Sequence, residues 1–284
     1  MFRDPTGAEY TNLCDSGGDE KRDIYMRVAE VGSESVKYDD ENIREFWKDK
    51  PISRGMAKRP VMTFCYGSTL KSCIGYVCDG LAETSAQPIL DDEGKMLYTL
   101  HKLAVPVAKA LRRGVVQTVP AAAQAMQYFQ NLARRCSEPL RWITPSGMPV
   151  VNYIEGELDK QVFIRSMGIT KVLVRQKDGM YNTRKAAAAI SPNIVHSLDA
   201  SHLCMTLVAC DFDVVPIHDS FACLPCNVDA MHKALREQFV ELYQHDLVQQ
   251  LRAAPLKKGM TEPTPPETGL FDLRSVLSSR FVFC

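Results

Sequence analysis

The sequence predicts an α+β fold that is mostly helical, with two β-hairpins set among the helices. Three observations carry this. Apolar residues recur at three- and four-residue steps through most of residues 85–140 and again beyond Pro192, which is the period of a helix face. Residues 161–175 alternate strictly instead, which is the period of a strand. "DFDVVPIHDSFACLP" reads as strand, tight turn, strand. At 284 residues the chain is long enough for one large or two ordinary domains with a substantial core.

Composition narrows the function classes. Lys+Arg and Asp+Glu both number 34, so any nucleic-acid surface has to be a local patch. Ten cysteines lack the spacing of a disulfide framework and no signal peptide precedes them, which fits a reducing cytoplasm. No run of about 18 apolar residues occurs, which argues against a membrane span. Cys223 and Cys226 form a single C-x-x-C with no second pair at zinc spacing, so they read as strand packing, and Cys73 with Cys78 is a weaker case still.

In chain order, residues 1–20 read as loop, interrupted by Pro5, Gly7, Gly17 and Gly18. "KRDIYMRVAEVG" predicts a short helix with Ile24, Val28 and Val31 as its apolar stripe and Gly32 as its stop. A charged stretch runs to about Lys50, and Pro51 suits the start of the next helix. That helix, "SRGMAKRPVMTFCYGS", sets Arg54, Lys58, Met62 and Tyr66 at steps of four. Such steps keep side chains along one face, here a guanidinium, an ammonium, a thioether and a phenol. The face would suit a triphosphate with sugar and base attached; a solvated basic helix end running into a core has the same pattern. Pro60 deletes a backbone hydrogen bond and is expected to kink this helix, at ~3 kcal/mol in an ordinary interior.

"KMLYTLHKLAVPVAKALRRG" and "AAAQAMQYFQNLARRC" predict helices broken near Pro106 and Pro120. Their Arg112, Arg113, Arg134 and Arg135 either line nucleic acid or partner helix C-termini, the second being preferred for most of them. From "WITPSGMPVVNYI" the pattern becomes β. In the hairpin that follows, Val162 and Ile164 point one way and Gln161, Phe163 and Arg165 the other. Beyond the turn at Gly168, Val172 and Val174 alternate with Lys171, Leu173 and Arg175. One face is apolar and the other partly cationic. Arg165 suits guanine edges and Gln161 adenine edges if the tip enters a major groove, and a plain solvated face has the same spacing.

"ISPNIVHSLDASHLCMTLVAC" predicts a long helix starting near Pro192, with His196 early in it. His196 and His202 are six apart and share no helical face, which argues against a two-histidine metal site. Asp219 sits at the turn of the next hairpin, where Asp is an ordinary turn residue. The apolar flanks "VVPI" and "FACL" would mount it on a buried, rigid hairpin, suited to a metal-binding carboxylate. A helix, "DAMHKALREQFVELYQHDLVQQLRAA", then leads through a Pro-rich connector to the tail "LFDLRSVLSSRFVFC". No internal repeat or low-complexity tract is present.

Taken in order, "R-x-x-x-K-R-x-V-M-T-x-x-Y-G" from Arg54 to Gly67, "WITPSGMPV" with its hairpin, "PNIVHSLDASHL", "IHDSF" and the terminal Phe281-Val282-Phe283 resemble the C-terminal portion of the single-subunit, bacteriophage-type RNA polymerases, relatives of the mitochondrial enzyme. The resemblance covers essentially the whole chain. It implies the fingers plus part of the palm of a right-hand polymerase. Residues 1–17 would end a palm segment. Residues 18–190 would form the fingers, with a nucleotide-binding helix at 52–67 and a specificity hairpin at 150–178. Residues 191–284 would form the C-terminal palm with the His-Asp-Ser hairpin and the tail.

The implied activity is template-directed nucleotidyl transfer from ribonucleoside triphosphates, with two Mg²⁺ ions ~3.5–4 Å apart. By resemblance, Asp219 is a metal-binding carboxylate and His218 its positioning neighbour. Arg54 and Lys58 hold the triphosphate, and Lys58 is a candidate proton donor to the leaving pyrophosphate. Met62 packs on the incoming base, Tyr66 checks the sugar for a 2′-hydroxyl, and His196 lies near the minor groove of the new pair. Gln161, Arg165, Lys171 and Arg175 would meet promoter DNA. The implied partners are template and promoter DNA, ribonucleoside triphosphates and nascent RNA, in the cytoplasm of a phage-infected bacterium.

A family A DNA polymerase fragment is the nearest alternative enzyme. That family usually has an aromatic residue where this chain has Met62, and His-Asp-Glu where this chain has His218-Asp219-Ser220, so both positions favour RNA. A non-catalytic alternative is a DNA-binding or inert polymerase remnant. The family's first metal-binding aspartate lies in an Asp-Gly motif just upstream of a segment like "MFRDPTGAEYTNL", and Asp4 matches a position after that motif, so it is not assigned as a ligand. Either the gene is split, and the other carboxylate arrives on an upstream polypeptide with the thumb and N-terminal domain, or the chain is a truncated product. The chain alone is expected to be inactive, and to expose apolar surface where its palm strands would pair.

Overall fold

The fold is that of a computed structural model describing residues 1–15, 17, 20–84, 86–91, 93–164, 170–217 and 220–283; the side chains of residues 163, 164, 170 and 171 are not described. Helix α1 (Pro5–Tyr10) stands where a loop was expected. Pro5 opens it and the Asp4 side chain accepts from Thr6 N at 3.1 Å, so Asp and Pro act here as cap and first-turn residue.

Helix α2 (Ile24–Ser35) is capped by Asp23 and runs through Gly32, which is buried. The glycine is a point of close approach and not a stop. Opposite it, a Cβ added to Gly114 would lie 3.0 Å from Val28 O and 3.4 Å from Gly32 N. Helix α3 (Glu41–Trp47) falls within the charged stretch, and its Trp47 indole donates to Leu103 O at 2.9 Å.

Helix α4 (Arg54–Phe64) continues through Pro60 with no break, the buried ring packing into the core. It closes on Gly67, at φ 77°, with Ser68 N donating to Thr63 O and Gly67 N to Phe64 O. That is a Schellman turn, which requires a left-handed residue one position beyond the cap.

Helix α5 (Leu70–Glu83) leads to a short hairpin, β1 (Ile89–Leu90) with β2 (Met96–Tyr98), where helix had been expected. Helix α6 (Leu100–Thr118) passes through Pro106, so that proline is not a break. Helix α7 (Pro120–Arg135) begins at Pro120, which is one. Two hairpins follow, β3 (Arg141–Ile143) with β4 (Pro149–Val151), and β5 (Glu155–Ile164) with β6 (Thr170–Tyr181). Helix α8 (Thr183–Ala209) starts nine residues before Pro192 and carries that proline in its interior. Strands β7 (Val214–Ile217) and β8 (Ser220–Cys223) form the next hairpin. Helices α9 (Val228–Leu242) and α10 (Leu247–Arg252) divide what the sequence read as one helix, before a 3₁₀ turn at Leu273–Leu277.

The hydrophobic core has two main parts. One gathers α2 to α6 around Val28, Trp47, Phe64, Leu81 and Leu111. The other gathers α7, β3, α8 and α10 around Phe129, Leu132, Trp142, Ile194 and Leu251, and the Trp142 indole donates to Ser197 Oγ at 3.0 Å. A small third cluster seats Val282 of the tail against Val240, Leu273 and Val276. The β7–β8 hairpin is not buried as expected: Val215 and Ile217 are 57% and 60% exposed. Among the described residues its four-residue strands pair only with each other; Val214 and Phe221 are half-buried, the Phe221 ring meeting that of His202, while Val215 and Ile217 stay in solvent.

Candidate nucleotide-binding face

Helix α4 orients its side chains by what it buries. Met56, Ala57, Pro60, Val61 and Phe64 face α2, α5 and α6, which turns Arg54, Lys58 and Met62 outward along the opposite side. Ser53 caps the first turn, its hydroxyl accepting from Met56 N at 3.2 Å. Tyr66 lies beyond the helix, in the Schellman turn. Its ring meets the imidazole of His196 edge-on, with centroids 4.9 Å apart. His196 comes from α8, and a Cβ on Gly67 would stand 3.3 Å from Ala188 O, so the turn lies close against that helix. Four residues spaced along one segment, and a fifth 130 positions after Tyr66, thus share one exposed region.

The cations on α4 are not equivalent. Arg54 Nε donates to the Asp23 carboxylate, and its guanidinium carbon lies 5.2 Å from the centre of the Tyr25 ring. Arg59 is held in the same manner, donating to Asp79 Oδ2 at 3.0 Å and lying 5.4 Å from the Tyr76 ring. Lys58, between them, is exposed and has no ion pair among the described residues. Partial burial pushes the Asp23 carboxyl up, but hydrogen bonds from Arg54, Met26 N and Tyr25 N, together with the Arg54 charge, outweigh it and hold the group below its ordinary value. Sequence reasoning missed Asp23, Tyr25, Asp79 and Tyr76. For Asp23 the only signal was its place at the opening of a helix-like run, which denotes a cap, and Asp79, inside α5, gave none.

The other arginines weighed for nucleic acid act as struts. Arg112 donates to Ser68 O at 2.6 Å and lies over Phe64, Arg113 donates to Ser35 O, and Arg135 donates to Thr261 O. Arg134 turns back onto Asn131 and Gln130; it and Arg135 do occupy the last turn of α7, where cations complement the dipole. His202 is a packing residue, its Nε2 2.9 Å from Leu235 O and its ring stacked on Phe283, with burial pushing its pKa down.

The β5–β6 register pairs Val162 with Val172, Gln161 with Leu173, Lys160 with Val174 and Asp159 with Arg175. Val162, Val172 and Val174 therefore share one face and Gln161, Leu173 and Arg175 the other, as the alternation required. The apolar face is uncovered, however: Val174 is 46% exposed, against 64% for Leu173 on the opposite face. Gln161 is exposed, and Arg175 faces Asp159 at 3.9 Å. Arg165 and the side chain of Lys171 lie outside the described residues.

Ile217 pairs with Ser220, flanking His218 and Asp219, which also lie outside the described residues. Among the described residues no group of three His, Cys, Asp or Glu could hold a metal ion. A pair of Mg²⁺ ions needs several oxygen donors, including shared carboxylates, and the described donor set does not supply them. Apart from the α4 face, an apolar cavity of about 390 Å³ opens between α1, α7, α8 and α9, lined by Phe2, Ala122, Phe129, Ile194 and Tyr243.

The motifs of this face can be set against known proteins. The family model for DNA-dependent RNA polymerases matches residues 1–262. This chain belongs to the DNA-dependent RNA polymerase family. Its relatives include the DNA-directed RNA polymerase of Pseudomonas phage phiKMV, 33% identical over all of this chain and 35% of the phage protein. The mitochondrial DNA-directed RNA polymerase 1B of Nicotiana tabacum is 31% identical over all of this chain and 29% of its own length. DNA-directed RNA polymerase 2A of the same plant is 30% identical, with 86% of its length covered. The chain thus spans about a third of the length of the phage polymerase. No described helix of this family member is long and apolar enough to cross a membrane.

Proposed function

We propose that this chain is the fingers and C-terminal palm portion of a phage-type DNA-directed RNA polymerase, and that the outward face of α4 binds the incoming ribonucleoside triphosphate. One observation carries the reading. Lys58 and Met62 stand exposed in file on α4, and the file ends on Tyr66 against His196 of α8. Cations at one end would neutralise the phosphates as charge builds on the leaving pyrophosphate. The thioether and the phenol at the other end would meet base and sugar, with Tyr66 testing for the 2′-hydroxyl and His196 beside the new pair's minor groove. Lys58 is assigned as proton donor to pyrophosphate.

In this reading residues 1–17 end a palm segment, 18–190 are fingers and 191–284 are palm, with α8 running across the last boundary. Gln161, Arg165, Lys171 and Arg175 read promoter DNA from the β5–β6 hairpin. Asp219, positioned by His218, supplies one carboxylate toward Mg²⁺. In this reading the chain works in the cytoplasm of a phage-infected bacterium; the phage relative does not by itself require this, plant mitochondrial relatives being of similar identity.

The test is direct binding. A fluorescent ATP analogue titrated into the 284-residue chain should bind. Lys58→Ala should weaken that binding about tenfold, as expected for loss of a charge-assisted contact. Unchanged affinity in both Lys58→Ala and Arg54→Ala variants would overturn the assignment of this face.

A further inference from the structure

Arg54 and Lys58 lie one turn apart on the same exposed side of α4, yet only one of them is unattached. Arg54 spends its Nε on Asp23 Oδ2 and rests over Tyr25, while Asp23 Oδ1 accepts from Tyr25 N at 2.8 Å and Met26 N at 3.2 Å. The carboxylate therefore works from both oxygens: one caps α2, and the other holds the cation that α4 presents to solvent. The Arg54 and Asp23 side chains are 47% and 33% exposed, and a pair so open to water costs little to exchange for another anion. Nη1 and Nη2 of Arg54 have no hydrogen bond among the described residues, so a phosphate can engage the guanidinium from its outer edge before the pair opens.

We propose that Asp23 is the resting counter-ion of Arg54, a positioning residue that must yield the guanidinium before a polyphosphate takes both cations of α4. The inference rests on the reading of this face as a triphosphate site and adds a control to it. In the empty site Lys58 makes the first contact, being the α4 cation without a partner among the described residues. Arg54 joins when the anion's charge outbids that of Asp23. The helix cap does not open with the pair, because Oδ1 and not Oδ2 carries it.

The experiment is calorimetric titration of the 284-residue chain with inorganic tripolyphosphate at low ionic strength, where surface charges are least screened. Asp23→Asn keeps a capping oxygen, Asn and Asp being equivalent caps, and removes only the charge. It should bind tripolyphosphate about three- to tenfold more tightly than the wild type. The gain should disappear in the Asp23→Asn/Arg54→Ala double variant measured against Arg54→Ala, because Asp23 acts through that guanidinium. Asp79→Asn, which frees Arg59 in the same manner, should tighten binding much less. Unchanged or weaker binding by Asp23→Asn overturns the proposal, as does an equal gain in the Arg54→Ala background or from Asp79→Asn. Each of those results leaves the triphosphate site standing if Lys58→Ala still weakens binding. Absence of any tripolyphosphate binding by the wild type removes the site itself and the proposal with it.

Discussion

Tyr66 shows how one atom can be asked a question. Its ring is fixed by the turn at Gly67 and by edge-on contact with His196, so removing the hydroxyl leaves that packing in place. In a polymerase assembled with this chain, Tyr66→Phe should keep polymerising and lose preference for ribonucleotides over deoxyribonucleotides. Competition between the two substrate classes measures it, and an unchanged preference refutes the role. Asp23 makes a second residue-scale prediction. Its folded pKa lies below the ordinary carboxylate value, so its contribution to stability is complete above about pH 4, its unfolded value, and is lost as pH falls through the folded one. The urea midpoint of the wild type should fall through that acid window, and Asp23→Asn should flatten this part of the profile.

At the scale of elements, α2 and α6 cross where glycine meets glycine, and the two glycines should answer opposite to each other. A methyl at Gly114 would press on the backbone carbonyl of Val28 at 3.0 Å, while one at Gly32 would meet only ordinary contacts of 3.5 Å or more. Gly114→Ala should destabilise by about 1–3 kcal/mol through overpacking. Gly32→Ala should stabilise by roughly 0.5–1 kcal/mol through helix propensity. Denaturant melts of the two variants check the signs. This pair also marks a limit of reading elements from sequence: a glycine after an apolar stripe has the signature of a stop, and only the neighbouring helix turns it into a contact. Pro60, Pro106 and Pro192 teach the same lesson, since each lies inside a continuous helix whose packing outweighs the lost bond, whereas Pro120, at a first helical position, breaks the chain where a proline costs least.

Across the whole molecule the two tryptophans fall one to each main core, Trp47 beneath α6 and Trp142 against α8. The first core draws only on residues 28–119, all of them close in sequence, and the second joins residues 128–251. Fluorescence of Trp142→Phe, which reports Trp47, should therefore persist to higher urea than that of Trp47→Phe, which reports Trp142. Coincident transitions would mean a single cooperative unit. The exposed valines of β5–β6 and β7–β8 should add a tendency to self-associate, since strands with an uncovered apolar face are templates for pairing. Light scattering of Val174→Thr and Val215→Thr variants should fall below that of the wild type.

By itself the sequence determined the helical majority, the strand patterns of the β5–β6 and β7–β8 hairpins, the faces of β5 and β6, and the outward file of Arg54, Lys58 and Met62. Those features are periodic, and periodicity is a local property of the backbone that any window of the chain displays. It determined too that a glycine should end that file, because a left-handed cap is a demand of one turn alone. Only the tertiary structure decided that Tyr66 meets His196, that Arg54 is held by Asp23 while Lys58 is unpaired among the described residues, and that Gly32 is a crossing point. It alone decided that Val215 and Ile217 stay in water. Each of these depends on which segment arrives opposite, and a counter-ion 31 residues away leaves no period in the sequence to read.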